Sequence, residues 1–173
     1  MRPIKSYKDK IVVIANQKTN GNLIGVISDT HNLLRPEAVK ALEKADLIIH
    51  AGDICKLEII EKLKMLAPVI VVKGNNDKAA WANDIPIYKV IEIDGILIYI
   101  IHDIKEMNVY PAPHETKVII SGHSHKPSIK QHNDILYLNP GSAGPRRFNL
   151  PVSIAKLKIH GKQVNAEITQ ILV

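Results

Sequence analysis

Five short apolar runs in this chain each end in a loop built from carboxylate, amide or imidazole side chains. Residues 23–28 lead into Asp29-Thr30-His31, and 47–49 into His50-Ala51-Gly52-Asp53. Residues 69–73 lead into Gly74-Asn75-Asn76-Asp77, 96–101 into His102-Asp103, and 118–121 into Gly122-His123-Ser124-His125. Short apolar runs bounded by turn residues read as strands buried on both faces. Ligands of open α/β sheets bind beyond the carboxyl ends of the strands. A fold that runs these strands to a common edge therefore gathers ligand-type side chains from distant parts of the sequence.

Helical patterns fill the gaps. Pro36 suits the first turn of a helix, and Ala38, Val39, Leu42 and Ala45 recur at helical spacing after it. Leu57, Ile59, Ile60, Leu63 and Leu66 mark a second, amphipathic helix, with Glu58, Glu61, Lys62 and Lys64 between them. From Ile85 the pattern becomes β-rich. Asp94-Gly95 between two such runs is a hairpin signal, because both turn positions need positive φ. Strands follow over 135–138, 152–159 and 164–172, the last two joined by a His160-Gly161 turn. A βαβαβ order followed by antiparallel strands predicts an α/β fold of two packed sheets with helices outside.

Composition removes several classes. With 173 residues, 46% apolar and 23% charged, the chain suits one globular domain and neither a disordered chain nor a coiled coil. No apolar run approaches the roughly 18 residues of a membrane-spanning helix. The single cysteine, Cys55, allows no intramolecular disulfide, which fits a reducing compartment, and the expected location is the cytoplasm. Most of the net charge of +6 lies in the first twenty residues, where Arg2, Lys5, Lys8, Lys10 and Lys18 face Asp9 alone. A basic end can bind nucleic acid, but a solvated terminus is the simpler reading. An aromatic content of 4% offers few rings for stacking on bases, so nucleic acid ranks below the other partners. The expected division is a basic N-terminal extension over 1–22 and a single domain over 23–173. Within the extension, the apolar stretch 11–15 suits one extra edge strand. A homo-oligomer is compatible with the sequence.

The converging side chains carry the chemistry. Two carboxylates about 5 Å apart at an effective dielectric of about 20 repel by roughly 3 kcal/mol, so their convergence calls for cations. Oxygen and imidazole donors without a thiolate pattern suit Mn²⁺, Fe²⁺, Ni²⁺ or Zn²⁺ more than Ca²⁺. The donors are too many for one ion, and a shared carboxylate suits two ions roughly 3.5–4 Å apart. Asp-x-His, Gly-Asp or Gly-Asn-Asn-Asp alone is a common loop. The order of all five, each at a strand end, is the informative feature.

Asp29-x-His31, Gly52-Asp53, Gly74-Asn75-x-Asp77, the strand-terminal His102 and Gly122-His123-x-His125 together resemble the calcineurin-like metallophosphoesterase superfamily. The small size and Asn139-Pro140-Gly141-Ser142 are similar to its compact prokaryotic phosphodiesterase branch, which shares its fold with the retromer scaffold subunit. The resemblance covers roughly 23–173. It implies a four-layer α/β/β/α sandwich of two mixed β-sheets flanked by helices, and a centre of two divalent transition-metal ions, with Mn²⁺ first and Ni²⁺, Zn²⁺ or Fe²⁺ as alternatives. Carried onto the matching positions, it implies that Asp29, His31 and His125 hold one ion, that Asp53 bridges, and that Asn75, His102 and His123 hold the other. Asp53, Asn75 and His102 are then the residues on which catalysis rests. The implied activity is hydrolysis of phosphodiester bonds by in-line attack of a metal-bridging hydroxide. The alternative is a metal-binding interaction scaffold with little or no turnover.

Two positions depart from the family pattern. Asn76 stands where many members have a histidine that protonates the leaving group, a histidine that the small branch tends to lack. The expectation is slow hydrolysis of alkyl monoesters, since general acid catalysis is worth about 10²–10⁴. Asp103 follows His102 where glycine is usual, and the segment from His102 to Val118 is short and broken by Pro111 and Pro113. A helix usual there is expected to be truncated or absent. Asp103 either crowds the second ion or supports a ligand histidine from outside. Cys55, two residues after Asp53, could touch the site but is expected to be a small buried hydrophobe, and His50 a packed strand-end residue. Arg146 and Arg147 are a surface pair that could also clamp phosphate. His114, His132 and His160 are expected at the surface.

Overall fold

The computed structural model describes residues 11–14 and 21–172. The basic residues of the N-terminal extension lie outside them. In chain order the elements are β1 (Val12–Ile14), β2 (Asn22–Ile27), α1 (Pro36–Leu42), β3 (Leu47–His50), α2 (Leu57–Lys64), β4 (Val69–Val71), β5 (Tyr88–Ile93), β6 (Ile96–Ile101), β7 (Thr116–Ile120), β8 (Ser128–His132), β9 (Ile135–Asn139), β10 (Ser153–His160) and β11 (Gln163–Gln170). Five strands form one sheet in the order β11-β10-β2-β3-β4, and six form the other in the order β1-β5-β6-β7-β9-β8. Both sheets mix parallel and antiparallel pairs.

The strands are apolar because each has two faces to cover. Ile24, Val26, Ile49 and Ile70 from one sheet pack against Ile91, Ile98, Ile100 and Ile120 from the other. The reverse face of the first sheet is closed by the helices. Ala38 and Leu42 of α1 and Ile59, Ile60 and Leu63 of α2 meet Ile27, Ile48 and Ile154. The reverse face of the second sheet carries Val90, Tyr99, Ile101 and Ile119. No α-helix covers it among the described residues. A 3₁₀ helix over Ile104–Asn108 and the loop after it lay Met107, Tyr110 and Ala112 there instead, and the Tyr99 hydroxyl donates to the Tyr110 carbonyl at 2.5 Å. The helix expected to be truncated or absent between His102 and Val118 is thus a 3₁₀ helix of five residues.

Asp94 and Gly95 adopt φ of 53° and 75° between the antiparallel strands β5 and β6, as the hairpin signal requires. The second turn sits one residue later than expected. His160 pairs with Gln163, so Gly161-Lys162 forms the loop, with Gly161 at φ 56°. Strand β8 has no counterpart in the sequence reading. Its residues Ser128–His132 are mostly exposed at a sheet edge, so no apolar alternation marks them. The stretch read as an edge strand supplies β1, which pairs in parallel with β5. No helix among the described residues is long and apolar enough to cross a membrane.

Ile98 lies between the sheets with no exposed surface. Ile98→Ala is expected to lower unfolding stability in urea by about 2–5 kcal/mol, and Ile98→Val by about 0.5–1.5 kcal/mol. The partly exposed Ile129 of β8 should lose far less on truncation.

Candidate metal centre

The strand ends are stitched to one another before any side chain is considered. The backbone N–H groups of Asp29 and His31 donate to the carbonyls of Gly52 and Asp53, and Gly122 N–H donates to the His102 carbonyl. Two glycines make the close approach feasible. A Cβ on Gly74 would lie 2.2 Å from the Asp53 nitrogen, and one on Gly52, at φ 94°, would lie 2.6 Å from His102 Nδ1. Asp29, His31, Asp53, His123 and His125 all take positive φ, between 43° and 65°. Asp and His are among the non-glycine residues that tolerate this region best.

All seven predicted ligands come together. Asp29 Oδ1 lies 3.3 Å from His125 Nε2 and 3.8 Å from His31 Nε2, and the two imidazole Nε2 atoms lie 3.3 Å apart. Asp53 Oδ2 lies 3.7 Å from His31 Nε2 and 3.4 Å from His102 Nε2. Asn75 Oδ1 lies 3.2 Å from His102 Nε2 and 3.0 Å from His123 Nδ1. One donor group is therefore Asp29, His31 and His125, another is Asn75, His102 and His123, and Asp53 stands between them. Asp29, His31 and His125 each offer an atom within 4.8 Å of the others, and so do Asp29, Asp53 and His102.

The electrostatics fit a cation. Asp29 is fully buried, and its Oδ1, aimed into the cluster, has no hydrogen-bond partner among the described residues. Burial raises its pKa, against the opposing pull of His102 and the Ser28 hydroxyl. Burial also works to raise Asp53, but hydrogen bonds from His102 and from the backbone and side chain of Asn76 outweigh it and hold this carboxylate well below the usual range. Burial works to lower His102, yet Asp53 and Asp29 raise it to about 9. His102 Nδ1 lies 2.7 Å from the Ala51 carbonyl, and donation there leaves Nε2 as the ligand nitrogen.

A sequence model of the calcineurin-like phosphoesterase superfamily domain matches residues 23–162. The chain belongs to this superfamily. It is 38% identical over 158 residues to a probable metallophosphoesterase of Methanothermobacter thermautotrophicus, covering 84% of this chain and 91% of that one. It is 32% identical over 139 residues to a phosphodiesterase of Methanocaldococcus jannaschii, covering 68% of this chain and 82% of that one. A crystal structure of wild-type Vps29 with Zn²⁺ from Entamoeba histolytica superposes with a TM-score of 0.67 at 25% identity, over 86% of this chain and 98% of that one.

The positions that depart from the superfamily pattern have definite places. The Asn76 amide donates to Asp53 Oδ2 at 2.7 Å, and its backbone N–H donates to Asp53 Oδ1 at 2.8 Å. Asp103 does not join the Asn75–His102–His123 group. Its Oδ2 faces the far nitrogen of His123, Nε2, at 3.6 Å. Cys55 is not the buried hydrophobe expected of it. It is half-exposed, with Sγ 3.9 Å from His31 Nδ1, and burial raises its thiol to about 11, so it stays protonated. Arg146 and Arg147 are exposed, and the charge of Arg147 helps burial lower His125. His114, His132 and His160 are exposed as expected.

Sequence reasoning passed over the residue that sets the loops. Asp77 is fully buried and accepts four backbone N–H bonds, from Asp53 at 3.0 Å, Ile54 at 2.8 Å, Cys55 at 2.7 Å and Gly74 at 2.8 Å. It ties the Gly52-Asp53 loop to the Gly74-Asn75 loop. Its place at the end of Gly74-Asn75-Asn76-Asp77 was visible, but its partners were not. Asn139 donates to the Gly122 carbonyl at 2.7 Å, and Ser142 donates to the Asp29 carbonyl at 2.9 Å, so the Asn139–Ser142 loop braces two ligand loops.

Asp77→Asn places an amide N–H₂ against backbone donors, and an expected loss of about 3 kcal/mol or more follows from the unsatisfied groups. Urea unfolding of metal-free protein checks it. His50 gives a pH test. It is fully buried as a strand-end residue, its Nε2 3.0 Å from Thr30 Oγ1 and its Nδ1 accepting from Gly52 N–H at 3.2 Å. Burial first, then His102, lower its pKa to about 3. Below about pH 6.5 the unfolded chain protonates this residue while the fold does not. Stability therefore falls on acidification from about 6.5 toward 3, by about 1.4 kcal/mol per pH unit from this residue. His50→Gln should flatten that slope in metal-free protein. The raised His102 acts in the opposite sense and in another window, losing its contribution as pH rises from about 6.5 toward about 9.

Proposed function

We propose that the protein is a dinuclear metal-dependent phosphodiesterase, with Asp29, His31 and His125 around one ion, Asn75, His102 and His123 around the other, and Asp53 shared. The observation that carries the reading is Asp53 Oδ2, within 3.7 Å of His31 Nε2 on one side and 3.4 Å of His102 Nε2 on the other. The named phosphodiesterase among the relatives and the zinc complex of the Vps29 neighbour support it. Two divalent ions bound there supply Lewis acidity, which lowers the pKa of water and offsets charge on the phosphoryl oxygens. Mn²⁺ heads the candidates for these oxygen and imidazole donors, with Ni²⁺, Zn²⁺ and Fe²⁺ behind it.

The chain's own residues decide the rest. Asp53, held ionised by Asn76 and His102, is a fixed shared carboxylate. His102 is locked by the Ala51 carbonyl. Asn76 spends its side-chain N–H on Asp53 and cannot protonate a leaving group, so good leaving groups are favoured. Two clefts of about 630 and 600 Å³ meet at Asp103 and His123. Lys73, Lys78 and Ile85 line one, and Lys105, Lys130 and Tyr137 line the other. A diester carries two substituents on phosphorus and a monoester one, and a cleft with two arms suits the diester. A single half-exposed thiol that stays protonated agrees with a cytoplasmic location.

Chelator-stripped protein is expected to hydrolyse bis-p-nitrophenyl phosphate only after Mn²⁺, Ni²⁺ or Zn²⁺ is returned. Asp53→Asn should lower that rate at least about 10²-fold, and glycerol 2-phosphate should be at least about 10²-fold slower than the diester. Stoichiometric metal binding without turnover under any of these ions would overturn the reading. It would favour the scaffold reading, which the likeness to Vps29 supports.

A further inference from the structure

The four histidines of the cluster differ in what their second nitrogen meets. His102 Nδ1 faces the Ala51 carbonyl at 2.7 Å, and His123 Nε2 faces Asp103 Oδ2 at 3.6 Å. Among the described residues, His125 Nδ1 is buried without a hydrogen-bond partner, and His31 Nδ1 meets Cys55 Sγ at 3.9 Å. The His123 side chain is 44% exposed, so packing alone does not fix its ring. The Asp103 side chain is 23% exposed, and it is itself anchored, because Oδ1 accepts the Lys105 backbone N–H at 3.0 Å as the cap of the 3₁₀ helix. One carboxylate oxygen is fixed to the backbone and the other is turned to the imidazole.

The charges are also unequal. Asp29 approaches His102 as well as His31 and His125, whereas the His123 ring meets the neutral Asn75 amide on its inner side. We infer that Asp103 is a positioning residue for the second ion. It orients His123 so that Nδ1 faces the Asn75 oxygen, and it sets a negative charge on the outer side of a ring whose inner side meets a neutral amide. Outer partners of ligand histidines typically contribute 10–100-fold to metal affinity. The inference rests on the dinuclear reading of the cluster.

The test is a calorimetric titration of the full chain, stripped of metal, with Mn²⁺ and separately with Zn²⁺. Asp103→Asn keeps an oxygen that can cap Lys105 and removes the charge, and Asp103→Glu keeps the charge. Wild type is expected to bind two ions. In Asp103→Asn one affinity should fall about 10–100-fold and the other should change less than about threefold, with partial recovery in Asp103→Glu. Equal loss at both sites, or no loss at either with two ions bound, would overturn the role. Wild type binding a single ion would overturn the dinuclear reading. Asp103 then keeps its role only if Asp103→Asn weakens that ion, and loses it otherwise. Unchanged urea unfolding of metal-free Asp103→Asn separates the effect from damage to the fold.

Discussion

The left-handed backbone at the strand ends is the constraint on which the site depends. A β-strand carries its side chains alternately up and down, so its last residue cannot aim along the strand toward a ligand beyond the edge. Turning the chain into positive φ at Asp29, His31, Asp53, His123 and His125 redirects these side chains toward one another. Non-glycine residues held in this way cost of order 1–3 kcal/mol each and persist only where the surroundings over-determine them. Here they do so through the cross-strand N–H bonds of the loops, the four amides gathered by Asp77, and the Asn139 and Ser142 braces. The large apolar core between the sheets supplies the stability that offsets the strain.

Much of this was legible because burial on two faces leaves a plain mark. Strands such as β3 and β6, with every residue buried, stand out as continuous apolar runs. The Asp94-Gly95 hairpin stood out through its turn chemistry. Strand β8 did not, because an edge strand open to solvent on one side needs no apolar face. The ligand set was readable as residue types at strand ends. The residues that hold it were not. Asp77, Ser28 and Asn139 act on backbone groups far away in sequence, and nothing in a local pattern reports which amide a carboxylate will meet. Cys55 follows the same rule: its N–H is held by Asp77, and at a positive φ of 67° its side chain lies beside His31, partly exposed, rather than in the core.

Asn76 illustrates how one substitution reorganises a neighbour. An imidazole at this position could exchange a proton with a leaving group. The amide instead gives both its backbone and side-chain N–H to Asp53. Each bond favours the ionised carboxylate, and together with His102 they overcome the cost of burying it. The position has exchanged proton donation for control of the shared carboxylate, which is why a missing acid does not leave a gap in the hydrogen-bond network.

The two departures at residues 102–116 have a common physical origin. A short segment broken by Pro111 and Pro113 closes over the second sheet with a 3₁₀ helix, whose cap residue Asp103 immediately follows His102. A helix start with an unsatisfied N–H favours an acceptor side chain in an extended conformation. Asp103, at φ −103° and ψ 116°, meets that need through Lys105 N–H. Glycine there would leave the short helix uncapped. A carboxylate required by the cap at that point stands, by chain geometry, one residue from His102 and across from His123. The loss of a helix on the outer face and the gain of a carboxylate beside the donor cluster are thus one structural change, and the local stability of the 3₁₀ helix bears on the electrostatics of the site.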